Sequence, residues 1–459
     1  MKSNRKFWNN PLFIFNVCIR KEIFPALPII LFWCLLFFPP ILKCQDSLLT
    51  LSKAIELSLI NNYDIRIANV ETEQNKNNNH PGNAGMLPRL DLNGSLSNST
   101  QTTHQLYSSG QEINRDNVSS DNLSANATLS WTVFDGLKMF ATKQKLGELY
   151  VQSEEKLKIQ MESTLQSVIL AYYSIVQQKQ LLKSTKEEIK FAEERVRLTE
   201  RRLNNGSGSR LEFLQTKTDL NALRSTELNQ LSALESARIQ LNQFITRDLN
   251  TVFEVEDTII ISYNPSYNDL QKNLTEQNHT LKYFEKNELI SSFGLKEIQA
   301  SRLPKIMLNG AYQFTKVNNE VGLVLLNQNA GFNYGITATL PLFNGFILST
   351  QVKNARLNLK SSQLAYLQAK QEISAELMNA FREFSTAQTI LKLEEENSVY
   401  AREVLVVAQE KYRIGSSNLV EVKNAQSTFE AANFRLVTAR YNAKKTETVL
   451  QKVNGDLIH

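Results

Sequence analysis

Cysteine is nearly absent from this sequence. The 459-residue chain has three, Cys18, Cys34 and Cys44, all in its first tenth, so no disulfide framework can hold the remainder together. Proline is missing between Pro88 and Pro265 and again after Pro341, so nothing there bars long uninterrupted helices. A basic surplus is missing as well. Lys2, Arg5, Lys6, Arg20, Lys21 and Lys43 against Glu22 account for the whole net charge of +5, and beyond residue 44 the two signs balance. That balance excludes a nucleic-acid binder, which must displace counterions from phosphate. The four histidines, His80, His104, His279 and His459, are scattered without zinc-ligand spacing. Gly206-Ser207-Gly208 lacks the lysine of a phosphate loop and follows a helical stretch, so it reads as a helix C-cap and turn. No catalytic, metal or cofactor site is predicted. Apolar residues make up 42%, too many for disorder, while a mean hydropathy of −0.30 and one long apolar run argue against a multi-span helical membrane protein.

That run, Ile23 to Leu42, follows a basic start and precedes Lys43-Cys44-Gln45-Asp46. Pro25, Pro28, Pro39 and Pro40 would interrupt a helix meant to persist in lipid. Residues 1–44 are therefore expected to be a cleaved signal peptide, with a membrane anchor as the alternative. Acylation of Cys44 is a further alternative, which the bulky charged Lys43 disfavours. In each case the rest of the chain leaves the cytoplasm.

What is present is one unit written twice. Leu87-Pro88-Arg89-Leu90-Asp91-Leu92-Asn93-Gly94 recurs as Leu303-Pro304-Lys305-Ile306-Met307-Leu308-Asn309-Gly310, an offset of 216 that also superposes Asn62 on Asn278. Phe134-Asp135-Gly136 recurs as Phe343-Asn344-Gly345 at an offset of 209, which also relates Gly206 to Gly415 and Glu212 to Glu421. One seven-residue indel, in a loop between these two signals, reconciles the offsets. The expected units are 45–250 and 251–459.

Within each unit the hydrophobic period changes in a fixed order. Leu51 to about Asn75 reads as helix. Alternation then predicts strands near 88–98 and 122–134, and near 304–316 and 331–343, each of about ten residues with one apolar face. Asp91, Asn93, Asn126, Ser130, Asn309 and Thr339 fall on the polar face. From 137 to 203 the period is seven: Met161, Val168, Ile175, Leu182, Ile189, Val196 and Leu203. The second copy, 346–413, repeats it as Leu377, Phe384, Leu391, Leu405 and Tyr412, missing only at Ser398. Stripes of small residues such as Ala171, Ala192, Ala380 and Ala408 run alongside. Helices of roughly 100 Å follow, at ~1.5 Å per residue. Gly206 and Gly415 stop them, and shorter helices near Leu211–Ile245 and Leu419–Lys452 return antiparallel.

Four strands cannot enclose a lumen, and an open sheet edge is not tolerated in lipid. Closure therefore demands several chains, and three would supply twelve strands, within the range of known barrels. The long helices carry more apolar stripe than one chain can cover, which also calls for neighbours. The predicted fold is mainly α with a β-barrel part, a strand barrel at one end of a ring of chains and a helical tube at the other.

The ordered signals match a known family. Leu49-Thr50-Leu51-Ser52-Lys53-Ala54-Ile55 through Asn61-Asn62-Tyr63, the two Leu-Pro and two Phe-Asx-Gly signals, Leu241-Asn242-Gln243, Tyr412-Arg413-Ile414-Gly415 and Glu421-Val422 together resemble the TolC-like outer membrane efflux proteins. The resemblance spans residues 47–455. It implies a homotrimer with a twelve-stranded barrel in the outer membrane of a Gram-negative-type cell and a helical tunnel in the periplasm. It implies an exit duct for a tripartite efflux pump or type I secretion system, without enzymatic activity or cofactor. The implied partners are a periplasmic adaptor, an inner-membrane RND, ABC or MFS transporter, and outer-membrane lipid. Carried onto this sequence, the adaptor-docking tips fall at Asn205, Gly206 and Ser207 and at Ile414, Gly415 and Ser416. Ser207 and Ser416 depart from the apolar residue the family often places after the tip glycine. Glu403, Glu410 and Glu421 are the candidates for an acidic entrance, against the plainer reading of solvated helix-surface carboxylates. Two rivals remain: a secreted, non-conducting coiled-coil stalk, and a periplasmic adaptor. The stalk leaves the paired strands unexplained, and an adaptor carries one helical hairpin, not two.

Overall fold

The computed structural model describes residues 48–458; the expected signal peptide lies outside the described residues. The chain opens with α1 (Leu51–Asn61) and α2 (Tyr63–Asn78), where alternation of period alone predicted one helix. Asn62 makes the break. Its backbone is extended, its Oδ1 accepts from Asp64 N at 2.9 Å to cap α2, and its Nδ2 donates to Phe244 O at 2.9 Å. The second unit repeats the device between α5 (Tyr267–Gln277) and α6 (His279–Ala300). There Asn278 Oδ1 accepts from Leu281 N at 2.9 Å and its Nδ2 donates to Val453 O at 2.8 Å.

The strands are β1 (Arg89–Leu106) and β2 (Glu112–Phe134) in the first unit, β3 (Lys305–Asn319) and β4 (Leu326–Thr339) in the second. They form one antiparallel sheet in the order β1-β2-β3-β4, with β1 and β4 as open edges. Register settles the faces. Asn93 sits opposite Asn126, which sits opposite Gln313, and Ser130 sits opposite Asn309. On the other face Leu92 meets Ala127, Tyr312 and Phe332, and Leu129 meets Gly310 and Tyr334. Side chains on the polar face bond across strands, as in Asn93 to Asn126 at 3.1 Å and Ser95 to Ser124 at 2.8 Å.

The strands are longer than the expected ten residues, most of all β1 with 18 and β2 with 23. Alternation marks only the part with an apolar face. Beyond Leu96 and Leu123 both faces are mostly polar, with Ile113 and Val118 as isolated exceptions, and the ladder continues on backbone bonds to Leu106 and Glu112. The seven extra residues of the first unit lie in this tall polar hairpin.

The helical part consists of two hairpins. α3 (Lys138–Asn204) returns through α4 (Arg210–Phe244), and α7 (Ile347–Arg413) through α8 (Leu419–Asn454). α3 and α7 have 67 residues each, roughly 100 Å at ~1.5 Å per residue. Among the described residues no helix is long and apolar enough to cross a membrane. Two equivalent cores sit midway. The first gathers Val168, Ile175, Leu241 and Phe253; the second gathers Leu377, Phe384 and Leu450 with Leu270 and Leu281. Val168, Ile175 and Leu241 each lie 209 positions before their counterparts, so the repeat read in sequence is also a repeat in packing.

Candidate functional site

The end of the molecule far from the sheet is built by two turns of the same design. Arg202 to Ser207 closes α3 with a Schellman motif. Gly206 N donates to Leu203 O at 3.0 Å and Ser207 N to Arg202 O at 2.9 Å. In the second turn Gly415 N donates to Tyr412 O at 3.2 Å and Ser416 N to Lys411 O at 2.9 Å. Both glycines are left-handed, with φ of +73° and +80°, and a Cβ on either would meet open space. Glycine is required here by backbone conformation rather than by crowding. The serines that follow the two glycines have a visible use. Ser207 Oγ and Ser416 Oγ each donate, at 3.2 Å, to the same helix carbonyl that their own N–H already serves. The return helices are capped by Ser209, which accepts from Leu211 N, and by Asn418, which accepts from Glu421 N.

Asn205, Gly206, Ser207, Gly415 and Ser416 are exposed, and so is Ile414, at 72%. The three acidic candidates separate. Glu403 and Glu421 line one groove of about 750 Å³ between α7 and α8, together with Lys411 and Val407. Glu421 also accepts from Ser417 Oγ at 2.6 Å and lies 3.8 Å from Lys411 Nζ. Glu410 does not line that groove; it pairs with Arg413 one turn on, at 2.9 Å.

Sequence reading missed the ties between the two tips. Tyr412 OH donates to Glu212 Oε1 at 2.6 Å, across from α7 to α4. The Arg202 guanidinium lies over the Tyr412 ring, 4.6 Å from its centre, and donates to Tyr412 O at 3.4 Å. Lys423 Nζ reaches Asp219 Oδ1 at 2.9 Å. Burial first, then the neighbouring Glu212, push the Tyr412 hydroxyl up to about 12. As a heptad position Tyr412 reads as core, and it is buried. The available signal was the repeat itself, since its counterpart 209 positions earlier is Leu203, which has no hydroxyl.

A separate ionic cluster lies near mid-length, where α3 packs on α6 and α8. His279 Nδ1 bonds Glu155 Oε2 at 2.7 Å, while its Nε2 stands 4.0 Å from Glu162 Oε1. Burial would raise the Glu155 carboxyl, but His279 and Lys158 outweigh it and hold it below its ordinary range. Glu162 is 5% exposed, and its Oε1 receives no hydrogen bond. Burial pushes it up to about 7, against the attraction of His279 and Lys452. Among the described residues no three His, Cys, Asp or Glu side chains are placed to hold a metal ion.

An amphipathic sheet with two open edges, set at one end of paired 67-residue helices that finish in capped polar turns, is one share of a multi-chain membrane duct. Known proteins agree. The model of the outer membrane efflux protein family matches residues 54–246 and 276–456. Outer membrane protein TolC of Escherichia coli is 21% identical over 387 residues, covering 81% of this chain and 75% of that protein. The toluene efflux pump outer membrane protein TtgC of Pseudomonas putida is 22% identical over 422 residues, covering 88% and 82%. Among solved structures, the Campylobacter jejuni CmeC outer membrane channel superposes with a TM-score of 0.72 at 19% identity, covering 88% of this chain and 85% of that one. The Vibrio cholerae outer membrane protein VceC gives 0.73 at 16% identity, covering 88% and 96%. The chain belongs to the outer membrane efflux protein family. It is an outer-membrane exit duct, with a barrel closed by three copies and a helical tunnel in the periplasm.

Proposed function

We propose that Asn205–Ser207 and Ile414–Ser416 are where this duct receives a periplasmic adaptor, and that the duct discharges whatever an inner-membrane RND, ABC or MFS transporter delivers. The observation that carries the docking role is the pair of rigidly capped, exposed turns, both some 100 Å along their helices from the sheet. Their backbones are fixed by the Schellman bonds, so a partner meets a preformed surface and loses little in ordering it. The groove holding Glu403 and Glu421 opens beside the second turn and extends that surface with carboxylates.

The ties from Tyr412 to Glu212, from Arg202 to Tyr412 and from Lys423 to Asp219 join the two hairpins of one copy, and they hold the tips together in a resting entrance. Opening must break them, and a charge-assisted bond of the Tyr–carboxylate kind contributes about 1.5–3 kcal/mol. The polar strand face supplies a wet lumen without cargo-specific chemistry, so cargo choice rests with the transporter. The duct does no chemistry of its own.

Gly415→Pro cannot adopt a φ of +80°, and Ile414→Asp replaces the exposed apolar residue of the turn. Both variants are expected to insert and to migrate as boiling-sensitive trimers, yet to lose crosslinking to the adaptor in intact cells. Undiminished adaptor capture by both would refute the docking assignment.

A further inference from the structure

The β3–β4 hairpin ends in a turn unlike its surroundings. Glu320 is followed by Val321-Gly322-Leu323-Val324-Leu325-Leu326, a run without a polar side chain at the outer end of a sheet whose other hairpin turns through Tyr107-Ser108-Ser109-Gly110-Gln111. Leu323 is 85% exposed, and Val324, Leu325 and Leu326 are each more than half exposed. The turn is nevertheless fixed. Asn319 N donates to Leu325 O at 2.8 Å, Glu320 N donates to Ser119 O at 3.0 Å, and Ser119 N donates back to Glu320 Oε2 at 3.0 Å. A well-held turn with four outward apolar side chains calls for an apolar medium.

Height and face indicate which medium. Leu96 pairs with Leu123, Leu123 with Lys316, and Lys316 with Gln328, which defines the last level of the apolar face. Two residues further along, Asn98 pairs with Asp121, Asp121 with Asn318 and Asn318 with Leu326, so at this level the same face is polar except at Leu326. The apolar turn thus stands at the rim where the lipid-facing belt stops. Leu326 has the same alternation as Ala330, Phe332, Tyr334 and Ile336, so it continues the belt's own face. The two hairpins divide accordingly: the tall one, which rises well past the rim, is polar, and the short one, which ends at the rim, is apolar. Lys316 lies on the belt face at this level, where its stem can lie along apolar surface and its ammonium reach headgroup anions.

We propose that the Leu323–Leu326 turn is a lipid anchor, seated at the boundary of headgroups and acyl chains in the outer leaflet, at the height the Lys316 ammonium reaches from one level below. The proposal rests on the reading of the sheet as an outer-membrane barrel. It adds a contact that holds the depth of each copy in the bilayer from the outer side.

Tryptophan quenching tests it. The full chain is reconstituted into phosphatidylcholine vesicles with acyl chains brominated near the headgroup. Trp8 and Trp33, the other two tryptophans, are replaced by Phe throughout; Trp131 lies on the lipid-facing side of β2, and adding Trp131→Phe gives the blank. Leu325→Trp and, independently, Leu323→Trp are placed in that background. Each is expected to lose the same fraction of its emission to brominated lipid as Trp131 does, and to be protected from aqueous iodide. Quenching by iodide and not by bromine would put the turn in water and overturn the anchor. Protection from both would mean that a neighbouring copy covers the turn, which overturns it as well. If Trp131 itself escapes brominated lipid, the barrel reading fails and takes the anchor with it, a result distinct from failure of the turn alone.

Discussion

Replacing Glu162 with Gln should make the protein more stable at neutral and alkaline pH and leave it unchanged in acid. The side chain is 5% exposed, its Oε1 receives no hydrogen bond, and burial lifts it from the ordinary 4.5 to about 7. The groups facing it are Glu155 and His279, with Lys452 and Asp456 at the end of α8. Lys452 Nζ bonds Gln166 Oε1 at 2.8 Å instead of Glu162. A carboxyl raised in the folded state keeps its proton there after the unfolded chain has released it. Between about pH 4.5 and 7 the native state therefore holds more protons than the unfolded one, and stability falls as pH rises. At 1.36 kcal/mol per unit, the shift amounts to about 3 kcal/mol per copy, fully lost above pH 7. Gln has the shape of the protonated acid and does not titrate. Apparent melting temperatures of purified trimers, at one protomer concentration, should coincide for wild type and Glu162→Gln at pH 4.5 and diverge in favour of the variant up to pH 7.5. A variant that is less stable at pH 7.5 would show that ionised Glu162 gains more from His279 and Lys452 than it loses by burial, which refutes the reasoning.

Asn278→Ala removes a helix cap and leaves the Val453 carbonyl without its side-chain donor, at a combined cost of about 2–4 kcal/mol. Asn62→Ala should cost a similar amount through Phe244, and both should lower the trimer's melting temperature without changing conductance. Tyr412→Phe and Glu212→Gln should act chiefly at the entrance: a local loosening of the tips, with a smaller fall in melting temperature than the Asn variants and a higher open probability in planar bilayers, because each weakens a tie between the tips. Conductance equal to wild type in both variants would remove those residues from the entrance.

Much of this was legible in the sequence because the repeat supplied its own control. Val168 and Leu377, or Gly206 and Gly415, could be compared at a fixed offset, and the long helices end within a residue of where their heptads and glycines placed them. Two features escaped. The break at Asn62 depends on a carbonyl 182 residues away, and no local period carries such information. The upper halves of β1 and β2 also escaped, since water on both faces erases the alternation that marks a strand. At the tips the serines were noticed as a departure, but their hydrogen bonds to Arg202 and Lys411 carbonyls appear only once the turn is folded. The Tyr412–Glu212 contact joins helices of different units, which no spacing within either unit encodes.

The duplicated cores have a consequence for symmetry. Three copies with two near-equal hairpins apiece place six similar hairpins about one axis, so mid-length approaches sixfold order. Both ends break it. Only one hairpin of each sheet is tall, and only the second unit has a tyrosine where the first has Leu203. A hexagonal partner at the tips would meet two alternating kinds of seat, and its identical subunits would have to bind each kind with different strength.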